Sequence, residues 1–183
     1  MNRLIIILLT ASSAFSQFTD WRQLDRSISL QYQGSNAYAS SDYFFELVSL
    51  LSPAVEIGGL LAFSADHQAG EFRTSAITLL TAQTLTLGFK YFINRERPDR
   101  TYHPRLWNTR ITPSFPSGHT TSSAAWATIM SLQNPEYTSA FWGFALLSGY
   151  SQIYTGNHYI SDVLAGLLVG CLTGYLVNET ALN

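Results

Sequence analysis

The sequence predicts an all-α protein, a helical bundle of about five core helices preceded by a signal peptide. Three observations carry this expectation. The hydrophobic share of 46% is ordinary for a globular chain, but only 12% of the 183 residues are charged, about half the usual proportion. The charges leave long empty runs, from Thr74 to Phe89, Ile111 to Pro135, Tyr137 to Ser161 and Val163 to Asn178. Charge is costly to bury, so such runs mark packed or lipid-facing helices. The last run carries Gly166, Gly170 and Gly174 at four-residue spacing, a small-residue stripe suited to close helix packing.

The same composition excludes several classes. A disordered chain needs low hydrophobicity and high net charge, and a generally basic nucleic-acid binder does not carry a net charge of −2. A single cysteine, Cys171, excludes an internal disulfide, a Cys-rich zinc site and an iron–sulfur cluster. It reads as a free thiol, a small core residue of its apolar segment.

Residues 1–16 read as a signal peptide. Arg3 supplies the positive start, Leu4 to Leu9 the apolar core, and Ala14-Phe15-Ser16 the small-x-small cleavage site before Gln17. An uncleaved first membrane helix is the alternative, although the apolar run is shorter than the ~20 residues of a span. Residues 17–41 read as a short amphipathic helix bearing Trp21, Arg22, Asp25 and Arg26, then a loop at Gly34-Ser35-Asn36. Nothing catalytic is assigned there.

Residues 42–183 form the helical domain. A first helix runs from Asp42 to Ser64 through Glu46, Pro53 and Glu56, with Pro53 as a kink site. A turn with Asp66, His67 and Gly70 leads to a helix from Phe72 to about Asn94, whose Thr, Gln and Ser residues suit helix contacts. Asn94 to Gly118 is irregular, with Pro98, Pro104, Pro113 and Pro116, and loops of this length in a compact domain are usually functional. Helices resume at His119–Gln133, Thr138–Tyr154 and Tyr159–Val177, with a turn at Asn134-Pro135. His67 and His103 read as loop histidines.

Six of the ten basic residues lie between Lys90 and Arg110, which points to an anionic ligand. Three clusters carry the chemistry. In the first, Lys90-Tyr-Phe-Ile-Asn-Arg-Glu-Arg97-Pro98, seven-residue spacing places Lys90 and Arg97 on one side. Pro98 biases Arg97 out of helical geometry. Two permanent donors there suit a phosphate-like dianion, although a solvated basic helix end is the plainer reading of this cluster alone. In the second, Pro113-Ser-Phe-Pro116-Ser117-Gly118-His119, Ser117 can donate a hydroxyl and Gly118 admits close backbone approach. A helix N-terminus behind them favours an anion, and His119 could protonate a leaving oxygen. An N-cap with an incidental histidine fits equally. In the third, His158 and Asp162 stand four apart where the last helix begins. The carboxylate could fix the imidazole tautomer and expose the other nitrogen as a nucleophile; a helix-capping pair is the alternative.

In this order the clusters make the chain resemble the type 2 phosphatidic-acid phosphatase and vanadium-dependent haloperoxidase superfamily, the acid phosphatase-like proteins. That pattern is K-x6-R-P, then P-S-G-H, then S-R-x5-H-x3-D, and the first two parts match completely between Lys90 and His119. The resemblance implies that His158 attacks phosphorus to form a phosphohistidine, Asp162 orients it, and His119 protonates the departing alkoxide. It implies that Lys90, Arg97, Ser117 and the Gly118 amide hold the phosphoryl oxygens, with no metal. The family's third-motif arginine is Gln152 here, a neutral donor, so Gln152 is assigned to phosphate binding with a weakened contact unless Arg95, Arg100 or Arg105 substitutes.

The expected function is an exported, metal-independent phosphatase acting on phosphomonoesters or diphosphates, lipid-linked, with vanadate as inhibitor and no cofactor. The expected partners are a phosphorylated small-molecule or lipid substrate and a membrane, with no nucleic acid. Two rivals are a haloperoxidase using vanadate as cofactor and a non-catalytic binder of phosphate or lipid phosphate, the latter motivated by Gln152. The expected location is the cell envelope. One form is an inner-membrane protein with its site on the outer, periplasmic face; the other is a soluble or peripheral exported protein. Few Lys or Arg flank the inner-side turns, against the positive-inside trend, but the outer arginines have a ligand to hold.

Overall fold

Helices form where the charge-free runs predict them. The computed structural model describes residues 21–37, 39–64, 69–107 and 109–181. The signal-peptide assignment to residues 1–16 and the turn at Asp66 and His67 lie outside the described residues. Helix α1 covers residues 21–31, followed by α2 (Ser40–Ser64), α3 (Ala69–Ile93), α4 (Gly118–Gln133), a 3-10 turn (Pro135–Tyr137), α5 (Thr138–Tyr154) and α6 (Ile160–Ala181). No strand occurs among the described residues, so the all-α expectation holds. α2 continues through Pro53. α3 stops at Ile93 because Asn94 takes a left-handed conformation (φ 48°), and its N–H closes on the Lys90 carbonyl at 2.8 Å. Asparagine is among the few residues that adopt this conformation readily.

α4 is the axis of the bundle, and every residue from Thr120 to Met130 is buried. Its Ser, Thr and Ala side chains let neighbours approach closely. A Cβ on Gly170 would lie 2.3 Å from the Thr121 carbonyl oxygen, and one on Gly166 would lie 2.9 Å from that of Ser117. The predicted glycine stripe is therefore the surface on which α6 rests against α4. Cys171, expected in the core, is only half-buried, because the glycines beside it occupy the contact edge. At the far end, Trp126, Ile129, Met130, Phe141 and Ala145 form the apolar core, with Trp126 edge-on to Phe141 at 5.1 Å.

The outer surface is apolar and the interior is partly polar. Leu164, Leu168, Leu172 and Leu176 of α6 are 52–62% exposed. Inside, the buried Glu56 of α2 accepts hydrogen bonds from Ser122 and from Ser123, the latter at 2.6 Å. Two helices, Ser40–Phe63 and Ile160–Ala181, are long and apolar enough to cross a membrane. Outward leucines over a hydrogen-bonded polar interior are an arrangement that suits a lipid surround.

The long loop between α3 and α4 is held by side chains rather than by its own ladder. Gln33 Oε1 accepts from the Thr101 N–H at 2.9 Å and the Tyr102 N–H at 3.3 Å. Glu46 of α2 accepts from the Arg105 and Leu106 N–H groups, both at 2.9 Å, and from the buried Tyr102 hydroxyl. The C-terminal ends of α3 and α5 and the N-terminal ends of α2, α4 and α6 meet beside this loop.

Candidate active site

Lys90 and Arg97 come together because the chain turns at Asn94, not because both ride one helix face. Lys90 is buried, and its Nζ donates to the Pro113 carbonyl at 2.6 Å and that of Ser114 at 3.3 Å. Arg97 is gripped on two sides. Its Nε donates to the Thr112 carbonyl at 2.8 Å, and its Nη2 to the Thr112 hydroxyl at 3.2 Å. Its Nη1 donates to the Asn157 carbonyl at 2.8 Å and lies 3.4 Å from His158 Nε2. Burial, then the nearby Arg110 charge, lower the Arg97 pKa to about 10, which leaves it cationic at neutral pH.

His158 sits in the turn between α5 and α6, with its N–H on the Gln152 carbonyl at 3.2 Å. Its Nδ1 is 3.6 Å from Asp162 Oδ2 and 3.5 Å from Ser114 Oγ. A guanidinium only donates, so the Arg97 contact suits a bare Nε2 and an Nδ1–H directed at Asp162. Burial pulls the His158 pKa down to about 3; the Asp162 bond opposes this, while Arg97 and Lys90 add to it. The imidazole is neutral at pH 7, and its Nε2 lone pair is available.

Two cavities of about 290 and 280 Å³ meet at Arg97, His119 and His158, which line both. The two histidines thus face the same space. Lys90 and Gly118 line the second cavity; Gln152, Ser49, Asn157 and Trp107 line the first. A Cβ on Gly118 would make only ordinary contacts, 3.8 Å from Lys90 Cε, so packing alone does not demand glycine there.

Two predicted residues are placed differently from expectation. Ser117 is fully buried and is the N-cap of α4; its Oγ accepts from Thr120 Oγ1 at 2.8 Å, and it borders neither cavity. Gln152 reaches the wall, but its amide already braces the turn. Nε2 donates to Ser49 Oγ at 2.9 Å, and Oε1 accepts from Asn157 Nδ2 at 3.1 Å. None of the candidate substitutes for the missing arginine borders either cavity. Arg95 pairs with Asp25 and Asp162, Arg105 with Glu46, and Arg100 donates to Asn157 Oδ1.

Sequence reasoning missed Ser114 and Asp25 around Asp162, and considered Arg95 only as a substitute for the third-motif arginine. Ser114 donates to Asp162 Oδ2, Arg95 Nη1 donates to Asp162 Oδ1 at 2.7 Å, and Asp25 of α1 holds Arg95 Nη2 at 2.6 Å. The one sequence signal was Asp162 itself, the only formal charge between Glu136 and Glu179, since a buried carboxylate needs a partner.

The helical bundle thus gathers a lysine, an arginine and two histidines around one space at the ends of its helices. The chain belongs to the PAP2 superfamily, whose family model matches residues 73–182. It is 34% identical over 114 residues to the lipid A 4'-phosphatase of Porphyromonas gingivalis, covering 57% of this chain and 48% of that protein. The chain spans about half or less of the length of the lipid A phosphatases it matches. Among solved structures, LpxE of Aquifex aeolicus superposes with a TM-score of 0.67 at 26% identity, over 86% of this chain and 93% of that one. A transmembrane PAP2-type phosphatidylglycerolphosphate phosphatase of Bacillus subtilis shares the fold, with a TM-score of 0.65 at 20% identity over 97% and 92% of the two chains.

Proposed function

We propose that the protein is a metal-independent phosphatase that hydrolyses lipid-linked phosphomonoesters or diphosphates at the outer face of the inner membrane. His158 Nε2 attacks phosphorus, and the bond from phosphorus to the leaving oxygen breaks. Burial, then the Arg97 and Lys90 charges, lower the His119 pKa to about 4; a bound phosphate dianion beside it favours the imidazolium, and the departing alkoxide takes its proton from that form. Lys90, Arg97 and the Gly118 amide bind the nonbridging oxygens, while Ser117 holds the helix end that presents Gly118 and His119. Water then attacks the phosphohistidine and gives a proton back to His119; the P–N bond breaks and inorganic phosphate leaves. Charge on the equatorial oxygens is stabilised by fixed donors, which is the main catalytic contribution in phosphoryl transfer.

The observation that carries this reading is the placement of His158, with Nδ1 directed at Asp162 and Nε2 3.4 Å from Arg97 in the space His119 shares. A lipid-linked substrate is supported by the apolar exterior and by the position of the site at helix ends, the depth of a lipid headgroup. The activity that names the similar lipid A 4'-phosphatase points the same way. The test is purified protein against phosphatidate, polyprenyl diphosphate, lipid A and soluble phosphomonoesters, with vanadate as inhibitor. Release of phosphate from a lipid substrate, lost in His158→Ala, is the expected result. Halide oxidation with vanadate and peroxide, or phosphate binding without turnover, would overturn it.

A further inference from the structure

We infer that Asp25 and Arg95 are positioning residues for hydrolysis: the carboxylate on α1 holds the Arg95 guanidinium, which fixes Asp162 and through it the ring of His158. The inference rests on the phosphohistidine reading and extends it to a helix outside all three motifs.

The chain of contacts is continuous. Asp25 Oδ2 takes Arg95 Nη2 at 2.6 Å, and Arg95 Nη1 gives to Asp162 Oδ1 at 2.7 Å and to Ser161 Oγ at 2.7 Å. The guanidinium carbon lies 4.0 Å from the centre of the Tyr159 ring, so it is fixed in plane as well as at its ends. Asp162 then divides its oxygens. Oδ1 belongs to Arg95, while Oδ2 receives Ser114 and the Tyr159 N–H at 2.9 Å and faces His158 Nδ1. Asp162 has no exposed surface. Without the Arg95 contact, Oδ1 would lose a charged partner inside the protein, and the carboxylate could rotate away from the imidazole.

α1 is fastened to this network by the start of α6. The first N–H groups of a helix lack partners within it. Here the Ile160 N–H donates to Ser29 Oγ at 2.9 Å and the Ser161 N–H to Asp25 Oδ1 at 3.1 Å. Asp25 therefore caps α6 from another helix and neutralises Arg95 with the same carboxylate. The charge sequence is minus, plus, minus from Asp25 through Arg95 to Asp162. The other ionisable groups toward His158 are Lys90 from α3, Arg97 from the loop and His119 from α4, with Glu46 of α2 on the wall of the first cavity.

The test is steady-state kinetics on Asp25→Asn, Arg95→Gln, Arg95→Lys and the double variant Asp25→Asn/Arg95→Gln, in the full chain. Asp25→Asn should lower kcat about tenfold and Arg95→Gln about a hundredfold, by analogy with the ~10–100-fold cost of removing the partners that orient metal-ligating side chains. KM and inhibition by inorganic phosphate should stay near wild type, because Lys90 and Arg97 are untouched. Arg95→Lys should recover part of the loss. The double variant should match Arg95→Gln alone, since residues acting through one another are not additive. Ser29→Ala removes the neighbouring cap without touching Arg95 and should lower the thermal midpoint while keeping kcat. Wild-type kcat in Asp25→Asn, multiplicative losses in the double variant, or an equal kcat loss in Ser29→Ala would overturn the positioning role. His158→Ala assayed alongside separates the two readings. Activity in it overturns the phosphohistidine reading and this inference together; inactivity in it beside wild-type kcat in Asp25→Asn overturns the positioning role alone.

Discussion

His158 Nε2 and Arg97 Nη1 stand 3.4 Å apart, and that pair joins the first motif to the third across a gap of sixty-one residues. The guanidinium is held by backbone carbonyls of Thr112 and Asn157, so it cannot swing away when the site is empty. A phosphoryl group approaching Nε2 therefore meets a donor already in place, which avoids reorganisation during the reaction.

Arg97→Lys keeps the charge but loses the fork that reaches Thr112 and Asn157 together. Losing one oxyanion-type donor costs about 2.7–4 kcal/mol. We expect kcat/KM to fall at least about a hundredfold with an unchanged helical circular dichroism spectrum. Wild-type kinetics in this variant would show that the bidentate geometry is unused.

Gln152→Ala removes the brace between Ser49 and Asn157. Ser49 and Asn157 are half-buried on the cavity wall, and Asn157 Nδ2 keeps Thr155 Oγ1 at 3.0 Å, so the loss is the net worth of the two bonds, about 1 kcal/mol each; the thermal midpoint should drop and activity should fall with it. A stable variant of unchanged activity would mean that the turn bearing His158 is held by its backbone bonds alone.

Gly170→Ala would put a methyl group 2.3 Å from the Thr121 carbonyl oxygen and push α6 off α4. Overpacking of this kind costs about 1–3 kcal/mol. Gly143→Ala is the control, because nothing lies within 4 Å of its added Cβ. Thermal melting in detergent should separate the two, with only Gly170→Ala destabilised.

The His158 pKa gives stability a pH dependence of defined sign. Folded, it is about 3 against the usual 6.5. Between those values the unfolded chain binds a proton that the folded chain does not, so stability rises with pH through this window. The contribution is complete above about pH 6.5 and is lost as pH falls toward 3. His158→Asn should flatten the acid side of a melting-temperature profile; an unchanged slope would contradict a buried neutral imidazole.

The sequence made the helices, the glycine stripe and the cluster of Lys90, Arg97, His119, His158 and Asp162 legible, because each is a short pattern with a local physical reason. What stayed hidden depends on contacts across the fold. Asp25 looks like one more charge on an amphipathic surface helix, yet it meets Ser161, 136 residues away. Arg95 could not be separated from Arg100 or Arg105 without the left-handed turn at Asn94, which sets where each arginine leaves the chain. Ser117 and Gln152 were placed in the right neighbourhood, but their side chains are engaged by Thr120, Ser49 and Asn157, partners that no spacing rule names.

The central claim is a covalent bond from phosphorus to His158, and rapid-quench labelling with a ³²P-phosphate substrate measures it directly. The account predicts an acid-labile label on the protein during turnover, mapped to the peptide containing His158 and absent from His158→Ala. Full turnover with no label on that peptide would contradict it.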